Sequence, residues 1–343
     1  MKLVTYHAVE ELPETADALF AEADKQSMFL SRPWLENLTQ TGLRDGETAL
    51  FACVVDQDSV LAILPLMTRG GDTWYALKHR YTSLYSLLLT DENRQAILDY
   101  LVQGLVASGL DAFLFEPVCE NDVGLGALRA SMESAGFTCH QSFRFYNWVH
   151  SVRGQSYREY MASRPARLRN TIERKKRKLQ REQGYEIRLL SGDEVPPAMP
   201  HYHAVYSASW KANEQYSDFL DGMVTAFSKS GWSRLAVLSI KGKPAAAQLW
   251  LVKHGRASIF RLAYDETWRH YSVGSILTAY LMEQVMDTEQ VEEIDFLTGN
   301  EAYKQDWMSE RRERWALSCV KRQQPIRRFE LLSGGIRRVF RRG

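Results

Sequence analysis

The residues best able to do chemistry lie in two neighbouring stretches, AYDETWRHYSVGSILTAYLMEQV (263–285) and IDFLTGNEAYKQDWM (294–308). In the first, an apolar run ends at Tyr264, a polar crossing begins with Asp265, and Gly274 opens a helical pattern. A glycine there lets a ligand approach the amides of the first helical turn, where the helix dipole favours phosphate. The same glycine equally serves a tight strand-to-helix turn with no ligand at all. In the second, a strand ends at Asp295 and the loop after it carries Thr298, Gly299, Asn300, Glu301, Tyr303 and Lys304. Open α/β sheets bind ligands at such strand ends. Tyr303 can protonate a leaving thiolate, and Lys304 can stabilise an oxyanion or hold a phosphate. The alternative is a structural ion pair between Asp295 and Lys304, with Tyr303 packed in the core. Asp265, Asp295 and Glu301 are the candidate general bases. No Ser-His-Asp or Cys-His set stands in a recognisable motif context, so direct attack of an acceptor on a donor carbonyl is the expected chemistry.

The elements that must hold these residues come in two similar runs. LFACVVD (50–56), VLAILPLMT (60–68), WYAL (74–77) and SLLLT (86–90) read as strands, followed by a helix from Asp91 to about Ser108. The strand AFLFEP (112–117), a helix near 123–135 and the strand FRFYNWVH (143–150) complete the first run. The second repeats the order: RLAVLSI (234–240), AAAQLWLV (245–252) and ASIFRLAY (257–264), a helix over 273–286, then EEIDFL (292–297) and WALSCVK (315–321). Apolar, β-branched runs bounded by Asp, Gly and Pro carry these assignments. Matching order implies duplication of one α/β unit, with a first lobe at 1–152, a second at 153–322 and a basic tail at 323–343.

Between the runs, SRPARLRNTIERKKRKLQREQG (163–184) places nine Lys/Arg against two Glu on one long predicted helix, with Leu168, Ile172 and Leu179 as a thin apolar stripe and Gly184 as its stop. Such a run is either a solvated face or a binder of phosphorylated ligands, because guanidinium groups pair well with phosphate. The tail mixes Arg with Phe329, Leu331, Leu332, Ile336, Val339 and Phe340; it is either disordered or laid on an anionic inner membrane. At 343 residues, with 43 Lys/Arg against 42 Asp/Glu, net charge does not mark the whole chain as a nucleic-acid binder. There is no signal-peptide pattern at the start and no stretch of about 18 apolar residues to span a bilayer. Four cysteines lack metal spacing, and His201 and His203 do not share a helix face, so no metal is expected. The expected location is the cytoplasm. Trp210, Lys211 and Asn213 are expected to end a helix beginning near Pro200, and Tyr206, Trp210 and Tyr216 are either an acceptor pocket or core.

One set of residues resembles a known family. Trp210-Lys211, Gly242, Pro244 to Ala247, Tyr264-Asp265, Trp268, Gly274, Asp295, Gly299, Tyr303-Lys304 and Trp307 are similar to the GNAT-like acetyltransferase family associated with cellulose and other exopolysaccharide loci. That family is related to the Fem-type transferases that use aminoacyl transfer RNA. Arg167, Leu168 and Arg169 look like the arginine-rich helix carried ahead of its domain. The resemblance is specific over about 160–310. It implies an α/β (α+β) fold of tandem GNAT-like lobes, each a mixed twisted sheet flanked by helices. It also implies an acyl-coenzyme A donor such as acetyl-coenzyme A, held by Tyr271, Val273, Gly274 and Ser275. Arg167, Arg169, Trp210, Lys211 and Tyr264 would face the substrate, a small molecule or a glycan- or lipid-linked acceptor. Transfer RNA is the donor under the Fem alternative, and a non-catalytic scaffold is the third. The chain departs from the usual Arg/Gln-x-x-Gly-x-Gly/Ala diphosphate motif, since the corresponding positions are Tyr271, Gly274 and Ile276, which makes a less open backbone nest.

Overall fold

The computed structural model describes residues 1–211 and 214–321. The first half runs β1 (Lys2–Tyr6), α1 (Asp17–Gln26), α2 (Arg32–Asn37), β2 (Thr48–Asp56), β3 (Ser59–Thr68), β4 (Thr73–Ala76), β5 (Leu88–Leu89), α3 (Arg94–Ala107), β6 (Ala112–Val118), α4 (Val123–Ser134) and β7 (Phe137–Ser151). Two helices follow, α5 (Tyr157–Ser163) and the basic α6 (Ala166–Glu182). The second half runs β8 (Glu186–Ser191), α7 (Val195–Ser207), α8 (Ser217–Lys229), β9 (Ser233–Ile240), β10 (Lys243–Lys253), β11 (Arg256–Tyr264), α9 (Val273–Glu283), β12 (Glu293–Thr298), α10 (Lys304–Trp307) and β13 (Glu310–Lys321). This is the mixed α/β architecture expected from the repeated pattern.

Differences from the sequence reading have local causes. The basic segment is two helices, because Pro165 cannot sit in a helix interior and holds Arg164 in an extended conformation between them. Gly184, at φ 68°, follows the end of α6 in the left-handed region that glycine adopts without strain. The run 86–90 forms only the two-residue β5, which pairs with β3. The expectations for Asn213 and for the tail over 323–343 lie outside the described residues.

All the strands form one sheet in the order β1-β2-β3-β4-β6-β13-β7-β12-β11-β10-β9-β8, with β5 beside β3. The sheet is continuous because the ends of the two units interleave. β13, the last strand of the second run, pairs with β6 on one side and along β7 on the other, from Glu310 opposite Val149 to Lys321 opposite Phe137. β7 in turn pairs with β12. The β7–β13 register sets Cys139 opposite Cys319, and the two are joined as a disulfide.

Three apolar clusters follow from this layout. One lies within the first unit between the β2–β6 face and α3/α4, and one within the second under α9 and α6. The third is shared: α1 and α2 of the first half pack with α7, α8 and the opposite face of β9–β11. Trp34 is its centre, wholly buried, with Phe29, Phe219 and Phe260 edge-on at 4.8, 5.2 and 6.1 Å. Edge-to-face aromatic packing of this kind adds to area burial. The lobes are thereby fused into one body at the place where the site opens.

Candidate active site

The site begins with a parting of strands. β11 and β12 run parallel and pair only over Arg256–Ser258 and Glu293–Asp295. Beyond Ser258, β11 continues to Tyr264 with no strand partner on that side among the described residues, and a cavity of about 740 Å³ opens between them. Its walls are the far half of β11, Phe296 to Thr298 of β12, the start of α9, the start of α6 and a loop of the first lobe with Arg80 and Tyr81. The register against β10 skips Phe260 at the Leu249–Trp250 step, a bulge that re-aims the β11 backbone at the cavity wall.

α9 is seated with care at one end. Ser272 precedes it in the left-handed region at φ 56°. Gln248 of β10 donates to the Gly274 carbonyl at 3.0 Å and to Thr278 Oγ1 at 2.8 Å, while its own oxygen accepts from Trp250 Nε1. Gly274 suits this close approach, since a Cβ would stand 3.0 Å from Cδ1 of Tyr264 and the ring would have to give way. The amides of Val273, Gly274 and Ser275 have no acceptor among the described residues, as expected for a first helical turn. α6 packs alongside through Leu168, Ile172 and Leu179, and Lys175 Nζ donates to the His270 carbonyl in the turn before α9. Positive charge is thus gathered where the helix dipole is already positive.

At the other end, charges from both lobes meet. Arg261 of β11 pairs with Glu214 and donates to the Tyr81 hydroxyl at 2.8 Å, and that hydroxyl donates to Glu214. Burial pushes the Glu214 carboxyl up, but the Tyr81 and Arg261 hydrogen bonds hold it below its ordinary value. Lys211 Nζ donates to the Leu262 carbonyl and lies 5.3 Å from the Trp210 ring and 5.6 Å from the Tyr206 ring. Burial, with Arg261 nearby, lowers its pKa to about 8. Trp210, 49% exposed, leans on Tyr264 with ring centroids 4.6 Å apart.

Of the residues singled out from sequence, Arg167, Trp210, Lys211, Tyr264, Gly274, Ser275, Tyr303 and Lys304 come together on this cavity. Their roles differ from expectation in one case: Lys304 is 4% exposed and gives its protons to the Phe296 and Thr298 carbonyls (3.0 and 2.6 Å) and to Glu301 (3.1 Å). It fastens the loop and has no donor left for an oxyanion; its acid partner is Glu301, not Asp295. Tyr303 is not core; it stands at the rim, 44% exposed. Arg167 reaches Asp306 at 2.7 Å.

The other candidates are elsewhere. Asp295 is buried between β12 and β7, accepting from Asn147 Nδ2 (2.6 Å) and the Leu297 amide (2.7 Å); burial raises its pKa, and it does not line the cavity. Asp265 caps the turn at 266–271 by accepting from the Thr267 amide. Tyr271 is core, its hydroxyl bonded to Glu182, and Val273 is buried, so each touches a ligand only through backbone if at all. Arg169 is half-buried off the cavity. The departure at Tyr271 and Ile276 therefore concerns side chains that point into the core, leaving the amides of the turn untouched. Sequence reasoning missed Arg80, Tyr81, Glu214, Gln248 and Arg261. Arg261 and Gln248 carried a signal, each being a polar residue inside an apolar strand; Arg80 and Tyr81 carried none.

Comparison with known proteins agrees with the fold. Residues 166–305 match the family model of the acetyltransferase (GNAT) domain. Among solved structures, the chain is similar to FemX (TM-score 0.63, 12% identity, 92% of this chain and 97% of that one). It is also similar to a tandem GNAT protein from the clavulanic acid biosynthesis pathway (0.52, 14%, 93% and 98%). A third likeness is to L-PGS from Bacillus licheniformis (0.53, 11%, 84% and 91%). No curated protein sequence matches the chain. The fold is that of tandem GNAT-like lobes. With the domain match falling on the open cavity, the protein is an acyltransferase. Among the described residues there is no grouping of side chains suited to a metal ion, and no helix is long and apolar enough to cross a membrane.

Proposed function

We propose that the protein transfers an acyl group, acetyl being the first candidate, from coenzyme A to an amine or hydroxyl of a cell-envelope or exopolysaccharide-related acceptor. The observation that carries the donor assignment is the set of three unpartnered amides, Val273 to Ser275, at the mouth of the opening between β11 and β12, with the cationic α6 beside them. Phosphate oxygens suit such a turn. Acyl-coenzyme A supplies an activated thioester carbonyl when bound. Unpaired backbone of β11 beyond Ser258 offers amide donors to the oxyanion that forms as the acceptor attacks. The acceptor loses its proton to Glu301, the more exposed of the two cavity carboxylates, and the Tyr303 hydroxyl gives one to the departing thiolate. The acceptor class rests on the exopolysaccharide resemblance.

A second reading has one observation in its favour. Arg174, Lys176, Arg177 and Arg181 of α6 point to solvent, a surface that suits the transfer RNA of the Fem alternative. Binding of that kind falls steeply with salt through counterion release.

The test is calorimetric titration and thermal unfolding with coenzyme A and acyl-coenzyme A species. At 100 times its dissociation constant a ligand adds about 2.7 kcal/mol, a shift of several degrees in Tm. Gly274→Val, which drives a side chain into Tyr264 and the donor end, is expected to weaken binding by about 100-fold or more. No shift with any thioester, or an unchanged affinity in Gly274→Val, removes this donor site and favours transfer RNA.

A further inference from the structure

The cavity has two ends of different chemistry, and the end remote from α9 lacks an explanation in the donor assignment. Four charges from three parts of the chain converge there: Arg80 from the first lobe, Lys211 and Glu214 from the segment after α7, and Arg261 from β11. Glu214 is fully engaged by Arg261 and Tyr81. Arg80 has no acidic partner among the described residues, and Lys211 has only the Leu262 carbonyl. A half-buried ammonium that makes no ion pair and faces an aromatic wall and one carbonyl is costly unless a closer negative group completes it. The other cations on the cavity are spoken for, Arg167 by Asp306 and Lys304 by Glu301. Among the cations that line the cavity, the two without an ion pair are therefore both at this end.

We propose that the inter-lobe end of the cavity is an acceptor subsite for a ligand carrying an anionic group, phosphate or carboxylate, held by Arg80 and Lys211 with Trp210 as its apolar wall. This rests on the acyl-transfer reading for the identity of the second ligand as acceptor, but the anion site itself is defined by Arg80 and Lys211 and is independent of where the donor binds. Arg80 comes from the first lobe, so the second lobe alone holds half of the subsite. Arg261 does not bind the anion; its hydrogen bonds to Glu214 and Tyr81 fix the wall between the lobes. An anionic acceptor also gives the exposed part of the Trp210 ring a ligand body to pack against.

The experiment uses the full chain and matched probes: glucosamine against glucosamine 6-phosphate, glucose against glucuronate, and neutral against anionic lipid vesicles, all at constant ionic strength. Affinity is measured for the wild type, Arg80→Gln, Arg80→Lys and Lys211→Met, with coenzyme A binding followed in parallel. Arg80 is exposed, so its substitutions leave the core intact. The expected result is saturable binding of anionic members only. Arg80→Gln and Lys211→Met should each weaken it about tenfold to a hundredfold, the scale of a charged hydrogen bond, with Arg80→Lys in between. Preference for the phosphorylated or carboxylated sugar identifies a free acceptor; binding to anionic vesicles alone identifies a lipid headgroup. Equal binding of neutral and anionic probes, no binding of any anion at millimolar concentration, or an unchanged affinity in Arg80→Gln overturns the proposal. Coenzyme A binding retained in Arg80→Gln separates this subsite from the donor end. Loss of coenzyme A binding in the wild type would sink the donor reading and leave the anion result standing.

Discussion

The two lobes use the same backbone device, and only one of them leaves it open. In the first, β4 and β6 pair in parallel over Thr73–Tyr75 and Ala112–Leu114 and then part. In the second, β11 and β12 pair in parallel over Arg256–Ser258 and Glu293–Asp295 and then part. Each opening is followed by a helix whose preceding residue is left-handed, Asn93 at φ 51° before α3 and Ser272 at φ 56° before α9. The difference lies in the chain between strand and helix. In the second lobe residues 265–272 pass directly from β11 to α9, and the opening stays empty. In the first, residues 77–93 take a longer course back through the opening. Tyr85 fills it, only 2% exposed: its amide donates to the Pro117 carbonyl, its hydroxyl to the Pro65 carbonyl at 2.7 Å, and its ring stacks on Phe115. Arg314 of β13 seals the rim by donating to the Ser83 carbonyl. Charge follows the same division. Glu116 in the sealed opening is matched by Lys78 and Arg144, whereas Lys211 in the open one makes no ion pair among the described residues. A parting of strands is a site only when the connection that follows stays out of it.

The largest effect expected from this contrast comes from removing the plug. Tyr85→Ala deletes a buried aromatic ring and one hydrogen bond, and truncations of that size cost about 3–5 kcal/mol. Urea denaturation should show the loss as a lower midpoint at unchanged slope. Donor stoichiometry should stay at one, because the first turn of α3 starts with Arg94 and Gln95 and offers no glycine for close approach. A second equivalent of coenzyme A bound by Tyr85→Ala would break the comparison, since the first lobe would then be a masked site and not a sealed one.

A smaller effect tests the charge difference. Lys211 titrates near 8 in the folded protein against an ordinary 10.5, chiefly through burial and secondly through Arg261; Glu214 and Glu301 act against the shift. Between those values the unfolded chain still holds the proton that the native protein has lost. Stability contributed by this group therefore rises with pH through that window, and below pH 8 the charged, buried ammonium is a constant penalty. Lys211→Met should accordingly stabilise the protein more at pH 7 than at pH 10, compared by urea unfolding of both proteins. An equal gain at both pH values would mean that Lys211 is well solvated and that the charge contrast between the lobes is not real.

Much of this was legible in the sequence, and what was not has physical reasons. Strand runs and their repetition come from local apolar patterning, so β2, β3, β6 and β9 to β12 fall where alternation and turns put them. The insertion of β13 between β6 and β7 depends on pairing with residues about 160–210 positions away, which no local window contains. Tyr264 and Gly274 were found because they flank a recognisable strand end and the helix after it, whereas Arg167, Trp210 and Lys211 came from the family resemblance. Lys304 was found for the wrong job, because a lysine's composition does not reveal that two carbonyls and a carboxylate surround its ammonium. Arg80 and Tyr81 reach the site only because α1 and α2 pack the lobes together.

Asp295 gives the smallest expected effect and the sharpest check on the idea that chemistry is confined to the open cavity. At the end of a strand, before a polar loop, it had the sequence position of a general base. The strand's own alternation turns it away: Ile294 and Phe296 enter the α9 side, so Asp295 faces β7 and meets Asn147 and the Leu297 amide. Leu297, at φ 52°, bends the chain so that Phe296, Leu297 and Thr298 reach the cavity while Asp295 does not. Burial already favours its neutral form, and an asparagine presents the same acceptor to the same two amides. Asp295→Asn is therefore expected to keep thioester turnover within about threefold and stability within about 1 kcal/mol, since replacing a buried carboxyl by its isostere loses no partner outright. A base essential to proton transfer contributes about 100-fold or more. A drop of that size in turnover, with stability preserved, would bring Asp295 back into the mechanism and place part of the reaction between β12 and β7, in the junction of the lobes, where the folded chain has left no room for a substrate.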